Sequence, residues 1–300
     1  MCLSLLLLAA CGSPSHEAIA DPKDSGALFG AFVSSTYTDP ARISAVETFE
    51  GTLGRQVDIV HTYHKWADPF PTMIDRWVAD RGDILLLSWA GTKPSEIVDG
   101  RYDSMIRKRA EALKKLDTPI LLRWRWEMNR PNLRTEIPSP SGYVEAWKHI
   151  RAIFADVGPD NVDWVWCPSA NGFEETNGAE YYPGDDQVEW LCADAYTPYP
   201  NEPLEEVLAP FLDWAKSHAD KPIVIGEFGT RQGKLGARAA WFDDAMSYFR
   251  RSEQVKAVVA YESATAAAGR YDIAQEPSAL EVLRKWSRTS WLNPDWSPAS

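Results

Sequence analysis

The chain has 300 residues, of which 45% are hydrophobic and 25% charged; these are globular proportions and argue against a disordered chain, a collagen repeat or a coiled coil. Its 31 basic and 43 acidic residues leave a formal net charge of -12, so no basic field exists to hold a phosphate backbone, and nucleic acid drops out as a partner. The 14 Trp, 11 Tyr and 10 Phe supply flat apolar faces with polar edges, which suit sugar rings as well as they fill a core.

At the N-terminus an apolar run from Leu3 to Ala10, too short to span a bilayer, leads into Leu8-Ala9-Ala10-Cys11. This resembles the lipobox of a bacterial lipoprotein: residues 1–10 read as a signal peptide, Cys11 as the lipidation site and 11–25, rich in Gly, Ser, Pro and Asp, as a flexible tether. The expectation is an exported chain held to a bacterial membrane only through its lipid, or secreted where the lipobox is not used. Residues 26–300 then form one domain. With Cys2 and Cys11 in the signal, Cys167 and Cys192 are left. Each lies four residues before a strand-end residue, Asn171 and Tyr196, at similar heights on neighbouring strands. An exported protein could pair them, but side-by-side parallel strands rarely offer good disulfide geometry, so two buried thiols are the expectation preferred over a disulfide. No His stands at ligand spacing beside them, and no metal is expected.

Along the domain, β-branched and aromatic runs alternate with helical patterns, the signature of a parallel α/β architecture. The predicted strands are Ala27–Ser34, Gln56–Tyr63, Ile84–Trp89, Ile120–Trp126, Val162–Cys167, Trp190–Ala195, Ile223–Glu227 and Lys256–Tyr261. Between them fall helices at Pro40–Glu50, Pro71–Asp80, Asp103–Leu116, Ser141–Ala155, Leu204–Ala219 and Gly236–Arg251, with a closing helix at Ser278–Arg288. Ile106, Ala110, Leu113 and Leu116 show the three-and-four spacing of a buried helix face. Eight such units match a (β/α)8 TIM barrel. An open doubly wound sheet would carry a Gly-rich phosphate turn after its first strand, and Phe29-Gly30-Ala31-Phe32-Val33 supplies none. On a barrel, chemistry belongs at the C-terminal strand ends.

Two strands end alike. Pro119 to Asn129 begins apolar and closes as Arg123-Trp124-Arg125-Trp126-Glu127-Met128-Asn129, and Pro222 to Gly229 closes as Gly226-Glu227-Phe228-Gly229. An ionisable group at the edge of a buried strand is costly unless it is paired or used. Strands four and seven face each other across a barrel mouth, so Glu127 and Glu227 can form the carboxylate pair of glycoside hydrolysis. The segment at 123–129 resembles the Glu-Met-Asn segment of glycoside hydrolase family 26, and 225–229 is similar to the nucleophile strand of its clan. That resemblance implies a retaining endo-β-glycosidase that is β-mannanase-like, with Glu127 as acid/base and Glu227 as nucleophile. It implies no cofactor, and a polysaccharide or oligosaccharide as substrate.

The resemblance also points to Trp89 as a sugar-binding Trp and to Tyr196 as a hydrogen-bond partner of the nucleophile. Trp126 stands where the family's mannanases have His, and Tyr261, followed by Glu262, stands in place of a strand-eight Trp platform. Arg123, two residues inward from Arg125 and four from Glu127 on one strand face, is expected to hold the nucleophile ionised. Arg125 and Arg130 either receive a carboxylate-bearing sugar or pair with acids of the chain. Asn129 joins the candidate subsites. For Asn171, Trp66, His61 and His64 a satisfied core or loop role competes with sugar binding. A β-glucanase or xylanase of the same clan, and a silent cell-surface carbohydrate-binding barrel, are the competing readings. A monomer is expected.

Overall fold

The computed structural model describes residues 26–34, 38–218, 221–266 and 270–294. The expected signal, the tether and Cys11 lie outside them. Eight strands, β1 (Leu28–Ser34), β2 (Ile59–His64), β3 (Ile84–Trp89), β4 (Ile120–Trp124), β5 (Val162–Trp166), β6 (Trp190–Thr197), β7 (Ile223–Thr230) and β8 (Val255–Ser263), pair in parallel and in chain order. β1 also pairs with β8, from Leu28 against Ala257 to Ser34 against Ser263, which closes the barrel. The (β/α)8 expectation holds. Runs such as Ile84-Leu85-Leu86-Leu87 are buried throughout, as strands between an inner core and a helix layer must be.

The connecting helices are α1 (Asp39–Leu53), α2 (Met73–Asp80), α3 (Pro94–Val98), α4 (Asp103–Leu113), α5 (Pro140–Val157), α6 (Leu204–Ala215), α7 (Ala237–Arg250) and α8 (Pro277–Trp286). Their ends are chemically marked. Thr72 and Asp75 form a capping box at α2, Ser139 Oγ accepts from Gly142 N at 3.2 Å at α5, and α5 stops at Gly158 in the left-handed region. The short α3, opened by Pro94, was not anticipated by periodicity, since one turn carries too few residues to show any.

Two apolar cores result. The larger lies between sheet and helices, and a smaller one, with Leu28, Ile59, Leu86, Leu121, Val165 and Val224, plugs the barrel interior. Above that plug the interior turns polar, with Arg123, Ser88, His61 and Asp194 all 2% exposed or less. The strand boundaries differ from expectation where this polar layer begins. β4 stops at Trp124 instead of Trp126, because Arg125 (φ 48) and Glu127 (φ 52) leave the extended region. β6, β7 and β8 run on to Thr197, Thr230 and Ser263.

The two cysteines are also corrected. Trp166 of β5 pairs with Leu191 of β6, so Cys167 arrives opposite Cys192; their Cα atoms are 4.3 Å apart and the sulfurs are bonded. Both point into the barrel, where side chains of neighbouring strands converge more closely than the general geometry of side-by-side parallel strands suggests.

Candidate active site

Glu227 owes its aim to Gly226. Between β6 and β7 the register runs Ala193 to Ile225 and then Asp194 to Glu227, so Gly226 is the extra residue of a bulge. A Cβ on Gly226 would lie 2.6 Å from Cys192 Sγ and 2.8 Å from both Arg123 Nη1 and Asp194 Oδ1. Only glycine leaves room for that ion pair, and the bulge turns the next side chain into the barrel mouth. There the Glu227 carboxylate accepts from Tyr63 Oη at 2.5 Å and Arg123 Nη2 at 2.5 Å on Oε1, and from Tyr196 Oη at 2.6 Å on Oε2.

Arg123 is the centre of this lattice. Its Nη1 donates to both oxygens of Asp194 at 2.6 and 2.8 Å, and its Nε donates to Ser88 Oγ at 2.7 Å. Burial by itself would lower the guanidinium pKa, but Asp194 and Glu227 outweigh burial and hold it upward. His61, with Nε2 2.7 Å from Ser88 Oγ and 3.1 Å from Arg123, is pushed well below the usual imidazole range, first by burial and then by that cation. It is a neutral strut. Burial and the Glu227 charge push Tyr63 and Tyr196 upward, so both keep the protons they donate.

Glu127 is held differently. It sits in the left-handed region, which costs a non-glycine residue of order 1 kcal/mol and is typical of functional turns. Its N–H donates to Cys167 O at 2.7 Å, and its Oε2 accepts from Arg130 Nη1 at 2.6 Å, a cation whose side chain is half exposed. Burial raises its carboxyl and the negative charge of Glu227 raises it further, while Arg130 and then Arg123 pull it back. The structure therefore sets a carboxyl whose pKa burial and a neighbouring charge raise beside a carboxylate fixed by three donors.

Both glutamates line one cleft of about 800 Å³, together with Trp126, Arg130, Asn171, Tyr196, Tyr261, Phe32, Tyr63, Tyr271 and Arg231. Asn171 braces Tyr196 through two backbone hydrogen bonds, Nδ2 to O at 2.8 Å and N to Oδ1 at 3.2 Å. Tyr261 stacks on Phe32. Other candidates lie elsewhere. Trp89 is fully buried, stacks on Trp66 and donates to its carbonyl at 3.1 Å; both belong to the outer core. Asn129 ties β4 to the next loop by bonding Ser169 and Thr176. His64 is bound to Asp75 under α2.

Arg125 takes the second of the two roles expected for it, pairing with an acid of the chain, but it does so away from the strand face expected. Strict alternation would have put residues 123, 125 and 127 on one face. The positive φ at 125 instead swings that guanidinium to Glu136 at 2.5 Å, over Gly91, while Trp126 takes the place above Arg123, whose guanidinium lies 5.3 Å from its ring. Tyr63, Arg231, Phe32 and Tyr271 were missed. Tyr63 alone had a legible signal, as the last residue of a predicted strand.

A closed parallel barrel with two glutamates in one cleft at its C-terminal mouth places the chain in the TIM-barrel class. The family model for glycosyl hydrolase family 26 matches residues 90–243, and the chain belongs to that family. It is 29% identical over 295 aligned residues to endoglucanase H of Acetivibrio thermocellus, covering 90% of this chain and 31% of the relative. It is 26% identical over 163 residues to a β-1,3-xylanase of an Alcaligenes species, covering 52% of this chain and 33% of the relative. The chain thus spans about a third of the length of these curated relatives. In fold it is similar to a family 26 β-mannanase of Bacteroides ovatus, with a TM-score of 0.69, 19% identity and 90% of each chain covered.

Proposed function

We propose that the chain is a retaining endo-β-glycosidase acting on a polysaccharide, with Glu227 as nucleophile and Glu127 as acid/base. The observation that carries this reading is the asymmetry of the pair: one carboxylate fixed by Tyr63, Arg123 and Tyr196, the other a carboxyl raised by burial and by its partner's charge.

In the first step a Glu227 oxygen attacks the anomeric carbon while Glu127 gives its proton to the departing glycosidic oxygen. Forming the ester removes the Glu227 charge, and with it one of the causes that raise Glu127. Glu127 is then the stronger acid and so is left ionised, ready to take a proton from water as that water opens the ester. The proton returned to Glu127 closes the cycle. Names among the relatives, an endoglucanase and a β-1,3-xylanase by sequence and a β-mannanase by fold, make β-glucan, β-xylan and β-mannan the substrates to test. Proton NMR of early hydrolysis on these three should show the β-anomer of the new reducing end appearing first. Initial release of the α-anomer would establish inversion and remove Glu227 as nucleophile.

Export with lipidation at Cys11 is part of the proposal. It rests on Leu8-Ala9-Ala10-Cys11, and partition of the full chain into membranes, abolished by Cys11→Ala, is its test.

A further inference from the structure

The charged side chains that line the cleft are Glu127, Glu227, Arg130 and Arg231. Glu227 is matched by Arg123 and Glu127 by Arg130. Arg231 is matched by nothing: among the described residues it has no ion pair, and its Nε is buried without a hydrogen-bond partner. Other arginines share a buried, unpartnered Nε, including Arg42, Arg109, Arg125 and Arg238, but each donates through another nitrogen. Arg231 donates through none among the described residues. In a chain with 12 more acidic than basic residues, an uncompensated guanidinium is a departure from the prevailing charge.

Its placement is rigid. Arg231 is the first residue after β7, and Thr230 before it is fully buried and bonded to Thr197 through Oγ1 to Oγ1 at 2.9 Å. The backbone that carries the guanidinium is thus anchored at the mouth of the barrel, four residues beyond Glu227, in a cleft that is largely aromatic, with Phe32, Tyr63, Trp126, Tyr196, Tyr261 and Tyr271 in its walls. A planar fork of donors in such a place matches a carboxylate or a sulfate ester, which it can bind bidentately.

We propose that the cleft is built for a β-glycan bearing an anionic substituent, a uronate carboxylate or a sulfate ester, with Arg231 as its principal receptor and Arg130 as a second. This rests on the glycosidase reading above. Arg130 gives the second contact a chemical consequence. In the free protein it holds Glu127 partly against protonation. An anion that draws Arg130 away removes that hold, so the charged substrate arms the acid that is to cleave it.

The test uses two matched pairs of oligosaccharides, glucuronoxylan fragments with their carboxyl-reduced form and a sulfated β-glycan with its desulfated form. Binding is titrated on the inactive Glu227→Gln chain. At low salt one anionic form should bind at least tenfold tighter than its neutral counterpart, and which one does so names the anion. Arg231→Gln in the same background should reduce that ratio toward one, and Arg231→Lys should restore part of it. With active protein, the alkaline limb of kcat, which reports the substrate complex, should lie at higher pH on the charged substrate than on its neutral form. Neutral forms binding as well in both pairs, or an anionic preference that survives Arg231→Gln, would overturn the proposal. Hydrolysis of neutral β-glycans with no anionic preference defeats this inference alone, whereas absence of hydrolysis on every glycan defeats the glycosidase reading whatever the binding shows.

Discussion

The ends of β4 and β7 carry the same residue in the same cleft and treat it in opposite ways. Glu227 lies within a continuous strand and is clamped by three donors from β2, β4 and β6. Glu127 lies beyond its strand on a left-handed turn, held by one half-exposed arginine from its own loop. A group that must form a bond at one point in space gains from being fixed, and a group that must change charge twice per turnover gains from loose, adjustable electrostatics. The proposed roles rest on this contrast and not on either glutamate by itself.

The most severe way to break that contrast is to remove the fixed carboxylate. Glu227→Ala should lose about 10⁴-fold or more in kcat on every glycan the parent cleaves, since no glycosyl ester can form. Retention of even a hundredth of parental turnover would reverse the assignment. Glu127→Ala should lose about 10²- to 10⁴-fold on polysaccharide but keep a rapid first step on an aryl glycoside with an activated leaving group, followed by slow ester hydrolysis that azide accelerates. A loss equal on both substrate types would mean that Glu127 does not act as a proton donor.

A sharper probe is to loosen the clamp one donor at a time. A hydrogen bond to a charged group contributes about 1.5–3 kcal/mol, so Tyr63→Phe and Tyr196→Phe should each lower kcat/KM by about 10- to 100-fold with smaller changes in substrate affinity. A change confined to KM would make these tyrosines sugar contacts only.

The mildest test concerns a buried carboxyl outside the pair. Burial, reinforced by a hydrogen bond with Asp272, pushes Glu262 up to about 8 from 4.5. Between those values the folded chain keeps a proton that the unfolded chain has released. Its contribution to stability is therefore complete below about pH 4.5 and falls as pH rises, to be lost through pH 8. Glu262→Gln should flatten the decline of the thermal midpoint between pH 5 and 9 by several degrees. Parallel declines in parent and variant would show that Glu262 ionises without cost.

Much of this was open to reading from the chain itself. The alternation of apolar runs with helical spacing dictates a parallel barrel because each strand is buried on two sides. Glu127 and Glu227 stand out because ionisable groups close apolar strands only where something uses them. Local patterns of this kind survive in one dimension. Contacts made across the barrel do not: Tyr63 reaches Glu227 over 164 positions, Arg123 does so over 104, and Gly226 matters only because two side chains from other strands occupy the space of its missing Cβ. The disulfide likewise depends on how far closure draws β5 and β6 together. Arg125 and Arg231 exchanged places as cleft cations for a backbone reason. Alternation along a strand assigns faces only while φ stays extended, and at Arg125 it does not, so the charge that sequence placed in the cleft turns to Glu136 while one from the loop after β7 faces the substrate's place.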